Sequence, residues 1–228
     1  MVDQAPMLRV RGLTRHHHLG EHVLRALDGV DLDIQPGTCT AIVGPSGSGK
    51  STLLGCLGLV DRPDVGTIEL DGVDITRSSE TERSQVRRSR IGIVFQQFHL
   101  MPHLTALENA ILPTVFHVAG RPGAEERGRA LLERVGLGAR LHHRPRQLSG
   151  GEQQRVAIAR AMIHTPGILL ADEPTANLDS QNSRGVVALL RELASSGVAV
   201  VLVTHDPEVA ADVHACYHMR DGRFIHGG

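Results

Sequence analysis

The stretch that decides the fold reads Gly44-Pro45-Ser46-Gly47-Ser48-Gly49-Lys50-Ser51, and Thr52 follows it. An apolar run at 38–43 precedes this stretch, and a helix-like run begins at Thr52. The glycines let backbone N–H groups curl around phosphate oxygens, and the start of a helix adds partial positive charge there. The stretch therefore predicts a phosphate-binding loop between a buried strand and a helix.

Lys50 is the only lysine in the chain, although Lys and Arg together number 24. A compact ammonium can reach the β- and γ-phosphates past a tight loop, whereas a planar guanidinium is too bulky to replace it there. The alternative interpretation is a glycine-rich turn that ends in lysine by accident. A composition that otherwise excludes lysine favours the phosphate-binding role.

The length of 228 residues suits one domain with room for a smaller subdomain. The chain has 24 basic and 25 acidic residues, no tryptophan and 2% aromatics. A near-neutral chain with few aromatic residues lacks the charge and the stacking surfaces that nucleic-acid binding uses, so we expect no nucleic-acid partner.

The beginning of the sequence lacks the basic-then-apolar layout of a secretion signal, and aliphatic runs such as 198–203 are too short to span a bilayer. We therefore expect a cytoplasmic protein. Cys39, Cys56 and Cys216 are odd in number and widely spaced in apolar surroundings, which predicts reduced core residues rather than disulfides or a zinc site.

The remaining elements follow from local patterns. Capping boxes at Ser79–Glu82 and Thr105–Glu108 predict an exposed helix over 79–90 and the start of a helical block over 100–162, in which 124–135 has helical spacing. Turn residues such as Asp71-Gly72 predict hairpins near 66–75 and 216–225. Strand-like runs lie at 8–13, 23–27, 30–34, 91–95, 168–171 and 198–203.

These patterns predict an α/β fold in which a parallel core is interrupted by a helical insertion and flanked by an antiparallel sheet. We expect a single domain over 1–228. Its core comprises 1–97 and 164–228, and its helical subdomain comprises 98–163.

The strand at 168–171 ends in Asp172-Glu173. Ligands of parallel sheets lie outside the carboxyl ends of the strands, so both acids should reach the phosphate site. Magnesium prefers hard oxygen ligands, which makes Ser51 and Asp172 candidate metal ligands beside the phosphates. Glu173 is then available to polarise an attacking water. The alternative is that both acids cap a helix before Pro174.

A second motif, Leu148-Ser149-Gly150-Gly151-Glu152-Gln153-Gln154, opens a helix-like run and predicts another anion-binding helix start. With this motif the chain resembles the ATP-binding cassette ATPases, whose signature sequence it matches, and the resemblance covers essentially all 228 residues. It implies a P-loop NTPase (RecA-like) core with an N-terminal antiparallel β subdomain and an inserted α-helical subdomain, and hydrolysis of ATP with Mg²⁺.

In that family two cassettes pack head to tail, so the resemblance implies a dimer of two copies that encloses ATP between them. The signature of one copy would then reach the γ-phosphate held by the other. By this likeness Gln96 lies in the glutamine loop and also serves the metal site, and His205 is the switch histidine. The likeness also adds Ser149, Gly150 and Gly151 in the signature and Asp179 in the loop that crosses the dimer interface.

Adenine stacking marks a departure from the family, which usually has an aromatic residue just before the second strand. Alignment on Gly20-Glu21 places His17 there, with His16 and His18 as neighbouring alternatives. Imidazole can stack on a base but offers less apolar area than tyrosine.

The run 95–109 is similar to the lipoprotein-release and macrolide-export ATPases, a group that also includes the cell-division cassette. The resemblance implies a subunit at the inner face of the cell membrane that drives a separate permease for export or for lipoprotein or peptide extrusion. The alternative is a cell-division-type regulator that activates an envelope hydrolase through a permease-like partner and transports nothing.

Overall fold

A computed structural model describes residues 5–20, 22–116 and 122–226. The strands are β1 Leu8–Leu19, β2 His22–Ile34, β3 Cys39–Val43, β4 Val65–Leu70, β5 Val73–Asp74, β6 Ile91–Val94, β7 Ile168–Asp172, β8 Ala199–Thr204, β9 Ala215–Arg220 and β10 Arg223–His226. The α-helices are α1 Lys50–Leu57, α2 Glu80–Arg90, α3 Ala106–Ile111, α4 Ala124–Arg134, α5 Gly150–Met162, α6 Ser180–Ser195 and α7 Pro207–Ala211. Short 3₁₀ segments lie at Leu112–Phe116, Gly138–Arg140 and Pro145–Gln147.

The larger sheet has the strand order β10-β9-β3-β8-β7-β6, and all neighbours except β10 and β9 run parallel. Every residue of β3 and β8 is buried, which explains why these strands read as continuous apolar runs. Val43 pairs with Thr204, and Asp172 pairs with Val203. The carboxyl ends of β3, β7 and β8 therefore meet at one edge of the sheet, where the phosphate loop begins.

The smaller sheet is antiparallel, with the order β2-β1-β4-β5, and confirms the antiparallel subdomain. The two predicted stretches at 23–27 and 30–34 are one continuous strand, β2, because β1 pairs with it from Leu8 to Leu19 through three register shifts. The predicted strand at 73–75 ends at Asp74, whose carboxylate accepts a hydrogen bond from the Thr76 N–H at 2.8 Å and turns the chain.

Two apolar cores lie on opposite faces of the parallel sheet. One joins α1 and the antiparallel sheet to side chains such as Ile42, Leu170 and Val201. The other core contains helices α3, α4, α5 and α6. They pack on strand side chains such as Leu169 and Leu202, which alternate along the strands with those of the first core. The alternation fixes which elements pack on each face of the sheet. No helix within the described ranges is both long and apolar enough to cross a lipid bilayer.

Both predicted capping boxes are present, at Ser79 and Thr105, and a third begins α5 at Ser149. Sequence reasoning missed α6 and α7. The signal for α6 was available, because its buried residues recur at helical spacing. They are Val186, Val187, Leu189, Leu190, Leu193 and Ala194. Of the three predicted core cysteines, Cys39 and Cys56 are buried, while Cys216 is only half-buried, and all three are free thiols.

Helix α2 is less exposed than its polar sequence predicts, because Arg83 is only 1% exposed. Its Nη2 donates hydrogen bonds to the carbonyl oxygens of Leu59 at 2.7 Å and Asp61 at 2.9 Å. These carbonyls follow the end of α1, where Leu59 has a left-handed φ of 56°. Arg83 therefore ties α2 to the far end of the helix that begins at the phosphate loop.

We predict that Arg83→Ala lowers the free energy of unfolding by about 2–4 kcal/mol, because it leaves a cavity and removes the Arg83 donor from the Leu59 and Asp61 carbonyl oxygens. The Leu59 oxygen keeps a second donor, Arg87 Nη1 at 2.6 Å. Denaturant titration measures this change. The matched control is Arg88→Ala on the exposed face of α2, which we expect to cost less than about 0.5 kcal/mol. Equal losses in the two variants would contradict the anchoring role of Arg83.

Candidate active site

The backbone of the phosphate loop, residues 44–51, is pressed between the two sheets. A Cβ atom at Gly44 would clash with the carbonyl oxygen of Met219, and one at Gly49 would clash with that of Ala26. Gly49 also has a φ of 106°, which side chains disfavour. The Gly222 N–H donates to the Ser48 carbonyl oxygen at 3.0 Å. Glycine is therefore needed where the closing hairpin and β2 support the loop.

Lys50 is buried, and its ammonium lies over the loop. Its Nζ donates hydrogen bonds to the carbonyl oxygens of Gly44 at 2.7 Å and Pro45 at 3.0 Å. The first turn of α1, which Lys50 opens, adds the partial positive charge of a helix N-terminus. This arrangement concentrates positive charge where the sequence predicted phosphate binding.

A cleft of about 410 Å³ opens over the loop and brings most of the predicted residues together. Its walls come from the antiparallel sheet, the phosphate loop and the carboxyl ends of the parallel strands. The lining residues are His17, Leu24, Ala26, Ser46, Gly47, Gly49, Lys50, Ser51, Thr52, Gln96, Asp172, Glu173 and His205. Gly44, Pro45 and Ser48 contribute through the backbone of the loop.

Ser51 and Asp172 form the pair predicted to hold magnesium, with Ser51 Oγ donating to Asp172 Oδ1 at 3.4 Å. Burial raises the pKa of Asp172, and the negative charge of Glu173 raises this pKa further. The hydrogen bond from Ser51 and the positive charge of Lys50 act in the opposite direction and lower the pKa. A hydroxyl and a carboxylate are suitable oxygen ligands for Mg²⁺. Among the described residues no cluster of three or more Cys, His, Asp or Glu could hold a metal.

Glu173 adopts a left-handed backbone conformation with a φ of 45°, which is strained for a residue with a side chain. Its N–H donates to the Val203 carbonyl oxygen at 3.0 Å, and its Oε1 lies 2.9 Å from Nδ1 of His205. Its Oε2 is buried and has no hydrogen-bond partner. One carboxylate oxygen is therefore paired with His205, while the other makes no hydrogen bond to the described residues.

His17 forms the wall of the cleft on the side of the antiparallel sheet. Its Nε2 lies 3.5 Å from Thr52 Oγ1, and its cross-strand neighbour in β2 is Leu24, which is 52% exposed. The His16 ring instead lies 3.9 Å from the carboxylate of Asp64, and the His18 side chain is outside the described residues. An imidazole beside an exposed leucine offers a flat apolar surface for a base.

The signature residues do not line this cleft within the described chain. Ser149 caps α5: its Oγ accepts from the Glu152 N–H at 3.2 Å, and Glu152 Oε2 accepts from the Ser149 N–H at 2.7 Å. Asp179 likewise caps α6 and accepts from the Asn182 N–H at 2.9 Å. The predicted site residues therefore fall into two groups, of which only one surrounds the phosphate loop.

Sequence reasoning missed Leu24 and Ala26 in the cleft and Asn177 beside it. The side-chain amide of Asn177 donates to the Gln96 carbonyl oxygen at 3.1 Å. The pairing of Leu24 with His17 depends on the bulges between β1 and β2, which local patterns do not reveal. Asn177 lies two residues before the predicted Asp179, but its partner Gln96 is 81 residues away in sequence.

Comparison with known proteins assigns a family to this geometry. Residues 27–176 match the family model described as ABC transporter. The lipoprotein-releasing system ATP-binding protein LolD of Shewanella frigidimarina is 47% identical over 220 residues, which cover 96% of this chain and 92% of that protein. The macrolide export ATP-binding/permease protein MacB 1/2 of Paracoccus denitrificans is 46% identical over 221 residues, covering 97% of this chain. The chain spans only 33% of that relative's length.

A solved structure supports the fold. The dimeric post-hydrolysis state of the ATP-binding cassette MJ0796 bound to ADP and Pi superposes with a TM-score of 0.88 at 40% identity. It covers 97% of this chain and 98% of its own. The predicted P-loop NTPase core with an antiparallel β subdomain is thereby confirmed.

We predict that Asp172→Asn raises the unfolding midpoint of the nucleotide- and metal-free protein at neutral pH. The folded state holds the Asp172 pKa above the ordinary value of 3.8, so its charge costs stability once the pH exceeds that raised pKa. The gain should shrink as the pH falls through the raised pKa and vanish below 3.8.

Thermal unfolding across an acid-to-neutral pH series tests this prediction, with Asp221→Asn at an exposed carboxyl as the control. A loss of stability in Asp172→Asn that is independent of pH would contradict it.

Proposed function

The chain belongs to the ABC transporter family and is an ATPase that uses Mg²⁺, and from this premise we propose that two copies close around two ATP molecules to drive a membrane permease. One observation carries the proposal. The phosphate loop has a cleft with Lys50, Ser51 and Glu173, while Ser149 to Gly151 begin another helix outside it. A cleft that lacks the signature of its own chain is half of a composite site.

The resemblance in sequence and the dimeric cassette relative support this pairing. In a head-to-tail dimer, the N-terminus of α5 in one copy would face the phosphates held by Lys50 in the other. Its backbone N–H groups and the Ser149 hydroxyl are suited to bind the γ-phosphate. Asp179, which begins α6, would lie at the same interface.

Within the cleft, the loop N–H groups and Lys50 would bind the phosphates, and Ser51 and Asp172 would hold the metal with Gln96 beside them. Mg²⁺ held by these residues would supply positive charge against the charge that develops in phosphoryl transfer. Glu173, which lines the cleft, accepts the proton of the attacking water. His205 holds one oxygen, so the carboxylate keeps one orientation as the dimer closes.

We propose that the permease docks in a groove of about 430 Å³ beside the glutamine loop. The floor of this groove is apolar, with Ile91, Ile93 and Phe95, and Phe95 is 43% exposed. Arg87, Arg88 and Arg160 also line it. An amphipathic helix with acidic residues on its polar face fits this combination.

The names of the relatives favour export or lipoprotein release over other transport. With a permease bound in the groove, the subunit would be peripheral at the inner face of the cell membrane. Co-purification of the membrane protein that binds this chain in its native cell separates an exporter from a cell-division-type regulator, because their permease-like partners differ.

We predict that Glu173→Gln lowers ATP turnover by about a hundredfold or more and makes an ATP-bound dimer accumulate, because the proton acceptor is lost while phosphate binding remains. Phosphate release and light scattering with MgATP measure both effects. The control is Glu208→Gln at an exposed carboxylate of α7. Turnover at the parental rate in Glu173→Gln would refute the assigned base.

We predict that His17→Ala weakens ATP binding by about threefold to tenfold and that His17→Tyr strengthens it by a similar factor, since ring stacking contributes about 0.5–1.5 kcal/mol. Titration with a fluorescent ATP analogue measures the affinities. His16→Ala is the matched control, because the His16 ring lies beside Asp64. A larger effect of His16→Ala than of His17→Ala would reassign the stacking residue.

A further inference from the structure

The loop at 96–99 connects the nucleotide cleft to the proposed permease groove. Gln96 lines the cleft, and His99 lines the groove. His99 has a left-handed φ of 48°, which a non-glycine residue holds only when its surroundings fix it. The Phe95 and His99 rings pack edge to face, with centroids 5.4 Å apart. The loop is therefore a compact turn held by specific contacts.

Arg160, in the last turn of α5, supplies the strongest of these contacts. Its Nη1 donates to the His99 carbonyl oxygen at 2.6 Å, and its Nη2 donates to the Phe98 carbonyl oxygen at 2.8 Å. In the described part of the chain no carboxylate lies within 4.0 Å of this guanidinium. The planar fork of arginine is thus used to hold two consecutive carbonyls, a geometry that lysine cannot reproduce.

The first turn of α5 lies close to the same loop. A Cβ atom at Gly150 would lie 3.3 Å from Leu178 Cδ2 and 3.8 Å from the Phe98 ring. The Asn177 amide, next to Leu178, donates to the Gln96 carbonyl oxygen at 3.1 Å. The signature helix therefore lies beside the Phe98 ring at its first turn, and Arg160 in its last turn donates to the Phe98 carbonyl oxygen.

We propose that Arg160 is a positioning residue that ties loop 96–99 to the signature helix, so that Gln96 and Ser149 to Gly151 are displaced together when the groove is occupied. The inference rests on the composite site proposed above and adds the connection between groove and signature. Arg160 lines the groove itself, so a partner helix that presses on His99 or Arg160 acts on the helix that faces the second copy's phosphates.

Two readouts separate this role from a purely structural one. In the Glu173→Gln background, MgADP binding to the monomer reports the phosphate loop alone, and MgATP-dependent dimerisation also requires the signature. We expect Arg160→Gln to change ADP affinity by less than about twofold and to raise the ATP concentration needed for dimerisation about tenfold, since it removes two hydrogen bonds from a charged donor.

Arg160→Lys should raise the ATP concentration needed for dimerisation by less than Arg160→Gln does. If Arg160→Gln does not fold, the ADP affinity and the dimerisation of Arg160→Lys test the inference instead. The control is Arg129→Gln, an exposed arginine of the helical block whose partner is Glu125 in its own helix. Parental dimerisation in the Arg160 variants, or an equal loss of ADP affinity, would overturn the inference. Failure of the Glu173→Gln parent itself to dimerise would instead refute the composite site.

Discussion

The close approach of the phosphate loop to two backbone carbonyls is the constraint on which the rest of the structure depends. At Gly44 and Gly49 any side chain would collide with the backbone of β9 or β2. The loop is therefore supported by both sheets, and α1 projects from it between the two sheets. The cleft exists because the ends of the antiparallel and parallel sheets meet at this point.

Parallel strand order then determines the chemistry. The carboxyl ends of β3, β7 and β8 lie side by side, so Asp172, Glu173 and His205 reach the loop although they are far from it in sequence. Burial there raises the pKa of Asp172, to which the charge of Glu173 adds, and Glu173 has a left-handed backbone and one buried oxygen without a partner. Both features cost stability, and such features cluster at functional sites.

Local signals predicted much of this arrangement. The phosphate loop, the acids after β7 and the capping box at Ser79 depend on residues that are neighbours in sequence. The long strand β2, the pairing of His17 with Leu24 and the burial of Arg83 depend on bulges and on contacts between distant segments. Arg160 was also missed, since an arginine in a helix gives no indication that it holds the backbone of another element.

The trans contact between one copy's signature and the other copy's phosphates can be measured directly. A Lys50→Ala chain, which should not bind ATP, is mixed with a Glu173→Gln chain and an ATP analogue that carries a photoreactive group on the γ-phosphate. Mass spectrometry then locates the label. We predict labelling at 149–151 of the Lys50→Ala chain only when the Glu173→Gln chain is present. Labelling confined to the Glu173→Gln chain would contradict the composite site.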